Sequence, residues 1–460
     1  MSLPWSVTMD INLTTENQCN LTKSAAGGAA NDAINSLIRA FAQEAGANAV
    51  ANGNSHAVAG GEGQDNIAIT TDAIASADFS ALADGNNTVA SGGAGDDDLF
   101  SRIGSDSDGS PGTTSRNSHT LMGEGGQDTI IVQSIASTLS TPSVHGALTS
   151  DNASVASGGE GNDHLSYLLQ AQAGRPGATV SGDTATLTGG AGQDSFDLQV
   201  AANAVDPGAA ATLTDNSVFA SGGLDHDEFQ IALFASNSGA VTISDLTLVA
   251  QGDAGADHLE FSIFSEPRFG TSSVTDNVVE LRGGLGADRL DVLMSAVPGV
   301  GGTAIVTGNA ITAHGGAGGD RVAFTGNGLI DNTVVLDGGW GYDTAVLDYS
   351  TATTDLAFDF TGGYDQTLFD GTELLSFRRV GITAGSGDDT FQGGSGPDRF
   401  TGGAGQDTAV FDGDQSDYSL TQQANGKVVV ADLRDGAPDG TDVFWQVEAF
   451  VFADTVLNLA

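Results

Sequence analysis

The sequence predicts an all-β fold: a parallel β-solenoid of roughly 31-residue coils, then a short β-roll of nonapeptide turns and a β-rich C-terminal cap. Three features predict it. A G-G-x-G-x-D pattern recurs with its aspartate at Asp65, Asp97, Asp128, Asp163, Asp194, Asp227, Asp257, Asp288, Asp320 and Asp343, at spacings of 32, 31, 35, 31, 33, 30, 31, 32 and 23. Six residues before the first turn glycine stands an Asx: Asn54, Asn86, Asn117, Asn152, Asp183, Asn216, Asn277, Asn309 and Asn332, with Asp245 displaced by one. Two residues after each turn aspartate the side chain is apolar, and four residues after it is apolar again except at Ser101. That alternation is the strand period.

Taken along the chain, residues 1–53 form an N-terminal segment with a strand-like start, Val7 to Leu13. Within it GGAAND, Gly27 to Asp32, precedes Asp65 by 33 residues and reads as a degenerate first coil. Ile34, Leu37, Ile38 and Phe41 also fall at helical spacing, with Gly46 able to end a helix, so coil and helix both stay open here. Residues 54–348 are the long-coil array. Each unit reads as a strand, the Gly-rich turn, a second strand and a variable return of about a dozen residues. Returns such as residues 104–116, GSDSDGSPGTTSR, are polar and are expected on the surface. Residues 349–384 connect to 385–411, where Asp389, Asp398 and Asp407 are 9 apart and the turns should alternate between two edges. In residues 412–460 no repeat is visible, and Phe444, Trp445, Phe450 and Phe452 suit a cap over the last strand edge.

Composition limits the function. The 460 residues carry 14 Lys and Arg against 59 Asp and Glu, a formal net charge of −45. Such a polyanion repels nucleic acid and anionic membrane surfaces, so nucleic acid is excluded as a partner. With 39% hydrophobic residues spread along its length, the chain can build a core. Cys19 is alone, which leaves no intramolecular disulfide and no cysteine-based zinc site. No stretch approaches a membrane span, and the opening MSLPWSVTMD lacks the basic flank and apolar run of a secretory signal.

The turns carry the chemistry. Their candidate metal-site residues are Gly60, Gly63 and Asp65; Gly92, Gly95 and Asp97; Gly123, Gly126 and Asp128; Gly158, Gly161 and Asp163; and Gly189, Gly192 and Asp194. The array continues with Gly222, Asp225 and Asp227; Gly252, Gly255 and Asp257; Gly283, Gly286 and Asp288; Gly315, Gly318 and Asp320; and Gly338, Gly341 and Asp343. Asp389, then Gly393, Gly396 and Asp398, then Gly402, Gly405 and Asp407 complete it. A tight turn needs positive φ, which glycine adopts without strain. Stacked carboxylates repel, so a column of them calls for cations, and calcium accepts carboxylates and carbonyls together. Ten turns on one edge would sandwich 10 − 1 = 9 calcium sites. Asp225 in the fourth position, and Glu124 and Asp253 in the second, should alter theirs.

The turns resemble the nonapeptide G-G-x-G-x-D-x-h-x of RTX (repeats-in-toxin), haemolysin-type proteins, most closely at Gly385 to Phe411. That resemblance implies multiple Ca2+ ions in a parallel β-roll and export of the unfolded chain by a type 1 machine, through an uncleaved C-terminal signal. It thus implies an extracellular or cell-surface location reached without an N-terminal signal peptide. Phe411 to Ala460, with GAPDGTDVFWQVEAFVFAD, looks like the tail that follows such repeats. One turn per ~31 residues departs from the family's one per nine, so residues 54–348 are expected to form a wider coil with calcium along one edge.

No metalloprotease, serine-hydrolase or phosphate-loop spacing occurs, and the chain reads as non-enzymatic, with no catalytic residue. His164, His226 and His258 adjoin turn aspartates and read as polar filler. The 12 arginines are scattered, Arg378 and Arg379 being the only adjacent pair, so no basic stripe for an acidic glycan is visible. The expected function is a secreted calcium-binding structural or interaction protein, a stiffened rod for a surface layer, matrix, filament or adhesion. Its partners would be calcium and either a second copy, met head to tail, or a cell-surface glycan. A polysaccharide lyase or epimerase on the same scaffold is the alternative.

Overall fold

The computed structural model describes residues 22–28, 31–42, 48–75, 80–108, 110–138, 146–174, 177–206, 208–237, 239–326 and 331–459. It is a parallel β-solenoid of about 11 turns with ~32 residues per coil, and no α-helix occurs among the described residues. Two compact units divide it, residues 1–279 with 295–309 and residues 280–294 with 310–460. Val7 to Leu13, Cys19 and Gly46 lie outside the described residues.

In the first unit each coil has three strands. Ser55–Glu62 leads through the turn to Asn66–Ala75, and Ala81–Asp84 closes the circuit. Each pairs in parallel with its counterpart one coil on, so three sheets wall the core. The third sheet, nine-stranded, runs from Ala49–Asn52 to Ala304–Thr307 and was not legible as strand. Its strands lie in the returns that polarity assigned to the surface. Within residues 104–116, Ser105, Ser107 and Thr114 are buried, and the Ser105 and Thr114 hydroxyls meet at 2.9 Å. Small hydroxyl side chains can line an interior wall once each finds a partner.

The described part of the N-terminal segment, from Thr22 onward, is also a coil. Ala33–Ala42 is a strand paired with Asn66–Ala75, placing Ile34 opposite Ile67. Ile34 and Ile38 are buried whereas Leu37 and Phe41 face outward, so the alternation defeats the helical reading. The residue two past each aspartate forms the central core column: Ile67, Leu99, Ile130, Leu165, Phe196, Phe229 and Leu259 are each at most 2% exposed. Phe196 and Phe229 stack with centroids 4.3 Å apart. Ser101, the exception four residues past its aspartate, answers to a buried histidine: its hydroxyl lies 2.7 Å from His119 Nδ1, and Ser134 Oγ lies 3.2 Å from Nε2. Two coils earlier His56 repeats this arrangement between Ser36 and Thr71.

At a second corner the Asx column is a hydrogen-bond ladder. Asn86 N–H and Nδ2 both donate to Asn117 Oδ1 at 2.9 Å, and Asn117 Nδ2 donates to Asn152 Oδ1 at 2.9 Å. The residue just before each rung is left-handed, as at Gly53 (φ 64°), Asp151 (φ 55°), Asp215 (φ 57°) and Asp276 (φ 58°). Asp245 (φ 56°) belongs to that left-handed row. The rung itself is Leu246, whose N–H donates to Asn277 Oδ1 at 3.1 Å but whose side chain cannot accept. The apparent one-residue displacement is therefore a missing rung.

In the second unit, Ala310–Gly318, Thr333–Gly341 and Thr372–Leu375 stack in one sheet. Arg321–Gly326, Thr344–Asp348, Arg379–Thr383, Arg399–Thr401 and Thr441–Trp445 stack in another. A five-stranded sheet holds Ala357–Asp359, Thr390–Gln392, Thr408–Val410 and Ala449–Val451 in parallel, so successive turns of residues 385–411 do alternate between two edges. Antiparallel strands then finish both sheets: Val428–Asp432 on Thr441–Trp445, and Val456–Asn458 on Ala449–Val451. Phe411, Phe444, Phe450 and Phe452 pack beneath this cap.

Burial lowers the His119 pKa to about 3. A base held neutral in the fold contributes stability that is complete above its unfolded value near 6.5 and is lost as pH falls toward 3. The stability difference between wild type and His119→Gln, measured by urea unfolding, should therefore shrink between about pH 6.5 and pH 3.

Candidate metal centre

Each turn is shaped by close backbone approach. In most turns the second and fourth residues have positive φ, as at Gly61 (127°) and Gly63 (116°), and the carbonyl of one coil points at the bare Cα of the next. A Cβ on Gly93 would lie 2.0 Å from Gly61 O. The departures fit locally: Glu124 (φ 80°), Asp225 (φ 74°) and Asp253 (φ 71°) take the left-handed conformation. The Glu124 and Asp253 carboxylates each accept a hydroxyl from the preceding coil, from Ser91 and Ser221 respectively, at 2.6 Å.

The sixth position is buried throughout and forms a ladder. Asp32 N–H donates to Asp65 Oδ1 at 2.7 Å, Asp65 N–H to Asp97 Oδ1 at 2.7 Å, and Asp97 N–H to Asp128 Oδ1 at 2.8 Å. Asp128, Asp163, Asp194 and Asp227 continue it, each at 2.8 Å, as far as Asp257. In the second unit Asp288 N–H donates to Asp320 Oδ1 and Asp320 N–H to Asp343 Oδ1, at 2.8 and 2.7 Å. This role was not read from the sequence, which points to the carboxylates only as ligands for cations.

The other carboxylate oxygen is left over. Oδ2 of Asp65, Asp97, Asp128, Asp163, Asp194, Asp227, Asp320, Asp343, Asp389 and Asp407 is buried with no hydrogen-bond partner. At Asp65, Asp97, Asp128, Asp163, Asp194, Asp227, Asp320 and Asp407 it rests against the first glycine of its own turn. A Cβ on Gly60 would lie 2.2 Å from Asp65 Oδ2 and 2.4 Å from Gly92 O; the same pair of oxygens faces Gly123, Gly189 and Gly315. The first glycine therefore serves approach, not φ, and two acceptors converge there with no donor. Burial, aided by the neighbouring aspartates, pushes the Asp97 carboxyl up to about 6, Asp128 and Asp194 to about 7, and Asp227 to about 8.

Residues 385–411 split the column in two. Leu356 N–H donates to Asp389, Asp389 N–H to Asp407 and Asp407 N–H to Glu448. On the other edge Val380 N–H donates to Asp398 and Asp398 N–H to Asp442. Asp442 and Glu448 were missed because they end the ladders without a Gly-rich turn of their own. Gly402 keeps the pattern, its Cβ position lying 2.3 Å from both Asp407 Oδ2 and Gln446 O. The turn from Gly393 to Asp398 departs from it. Asp398 Oδ2 accepts the Tyr364 hydroxyl at 2.8 Å and Gly394 N–H at 3.0 Å, while the same hydroxyl accepts Gly396 N–H at 2.9 Å. Here the protein itself supplies the donors that Asp65, Asp97, Asp128, Asp163, Asp194 and Asp227 lack among the described residues.

Buried carboxylate oxygens beside main-chain carbonyls form a hard, all-oxygen donor set, which suits calcium. No group of three or more His, Cys, Asp or Glu side chains able to hold an ion occurs among the described residues, so carbonyls would have to supply most ligands. His164 and His226 are exposed and His258 is half-buried. Comparison with known protein families, curated proteins and solved structures gives no match.

An isosteric change separates proton from metal. Asp128→Asn keeps the Oδ1 rung and replaces Oδ2 by an N–H donor facing the Gly158 carbonyl. In chelator this variant should melt above wild type, by an amount equivalent to about 1–3 kcal/mol. In calcium the order should reverse, and thermal unfolding with both additives checks this.

Proposed function

We propose that the protein is a secreted calcium-binding scaffold whose coils are tightened by ions bound along the turn column. It serves a surface layer, extracellular matrix, filament or adhesion, and leaves the cell unfolded by a type 1 route with its C-terminal segment as the export signal. One observation carries the reading: Asp65, Asp128, Asp194 and Asp320 each bury a carboxylate oxygen with no donor among the described residues, against a carbonyl of the adjacent coil. In the calcium-poor cell interior the carboxylates either stay charged and repel or hold a proton. Outside, calcium neutralises them and binds the folded chain in preference to the unfolded one. Asp65, Asp97, Asp128, Asp163, Asp194 and Asp227 would hold ions in the first unit, and Asp320, Asp343, Asp389 and Asp407 in the second, with Asp398 exempt because Tyr364 occupies its second oxygen. The resemblance of the turns to RTX nonapeptides supports calcium over other cations.

Calcium at 100 times its dissociation constant stabilises by about 2.7 kcal/mol per site, so several sites together would exceed much of a domain's stability. Thermal unfolding should therefore shift upward by tens of degrees between chelator and millimolar calcium, with magnesium far less effective. Equal melting temperatures in chelator, magnesium and calcium would overturn the proposal.

A further inference from the structure

The arginines that look scattered in sequence converge in the second unit. Parallel register sets Arg289 beside Arg321, Arg321 beside Thr344, and Thr344 beside Arg379 on the outer face of one sheet. Arg399 pairs with Gly381 on the next strand, and Thr401 with Trp445 on the strand after. Arg321, Arg379, Arg399 and Trp445 line a cleft of about 360 Å³, within the range of small-ligand sites. Lys427 stands over the Trp445 ring, its Nζ 5.7 Å from the centroid.

Few acids answer these five cations. Asp291 is shared between Arg289 and Arg321; burial works to raise its carboxyl pKa, but the two guanidiniums outweigh it and hold the carboxyl below the usual range. Asp348, opposite Thr383, accepts Ser350 N–H. Arg379 donates to the Thr344 hydroxyl and lies over the Tyr342 ring, and exposed Arg399 has no ion pair among the described residues. In a chain with 59 acidic and 14 basic residues, this is a local reversal of charge. The floor is bare as well. Gly381 is not left-handed, and a Cβ there would meet nothing closer than Val346 at 3.7 Å, so the fold does not require glycine. Its effect is to open the cleft.

We propose that this cleft binds a strand of carboxylated polysaccharide, the guanidiniums taking the carboxylates and Trp445 taking the face of a sugar ring. Guanidinium forks match carboxylates bidentately, and an aromatic face suits a ring with one apolar side. At physiological salt the Debye length is about 8 Å, so a single strand inside the cleft feels the local cations more than the chain's net charge. A second copy of this chain is disfavoured because a protein partner needs a face of about 800 Å², which would bring acidic surfaces together. The inference is independent of calcium binding by the turns.

The test uses the full chain in calcium and 0.15 M salt, with calorimetric titration of hyaluronan oligosaccharides, heparin oligosaccharides and neutral dextran oligomers. Hyaluronan should bind, and dextran should not. Arg399→Gln and the cleft-filling Gly381→Leu should each weaken binding at least tenfold, while Arg282→Gln, an exposed arginine outside the cleft, should not. Circular dichroism of each variant guards against misfolding. No hyaluronan binding, binding of heparin alone, or binding indifferent to both cleft variants would overturn the proposal. So would sugar-independent dimerisation in sedimentation that Arg399→Gln abolishes, which would assign the cleft to a second copy.

Discussion

A main-chain N–H donating to the carboxylate of the aspartate one coil further on is the bond on which the other features of this protein turn. In the first unit it joins residues 30 to 35 apart and locks the register of the two sheets that flank the turn, because the strands on either side cannot slip without breaking it. The carboxylate must be buried to make that bond, and burial brings Oδ2 against the Cα of the first turn glycine, where no side chain fits. Glycines two and four follow from the same stacking, since each receives a carbonyl from its neighbour. The motif is thus one packing problem with several visible residues.

Repetition makes the core cheap to specify. A column of apolar residues two past the aspartate meets its own kind in every coil, each burial contributing about 1.5–3 kcal/mol. The asparagine ladder does at the opposite corner what the aspartates do at the turn, with the difference that Asn carries its own donor. An amide can satisfy the neighbour on each side, whereas an aspartate satisfies one side and leaves an acceptor over. Tyr364 at Asp398 shows what it takes to resolve that imbalance within the protein.

Features that repeat in every coil were legible: the turn glycines, Asp65 to Asp343, the strand after each turn and the apolar column. What was missed depends on a partner distant in sequence. The third sheet is built of short strands such as Gly112–Ser115, whose hydroxyls look like loop until their interior partners are known. Ser101 looks like a flaw until His119 is placed beside it, and Asp245 looks displaced until Leu246 is seen to fill the rung. The Arg321, Arg379 and Arg399 cluster is set by coil register across residues 58 and 20 apart, 379 − 321 and 399 − 379, which no local window spans.

A buried column of acceptors in a chain of charge −45 must take up either protons or cations, and the two differ in what lies against Oδ2. The direct measurement is a crystal structure from calcium-containing solution, with anomalous scattering to locate the ions. The account predicts calcium in contact with Oδ2 of Asp97, Asp128, Asp194 and Asp227, and none at Asp398. Ladders intact, with no ion at any of these oxygens, would contradict it.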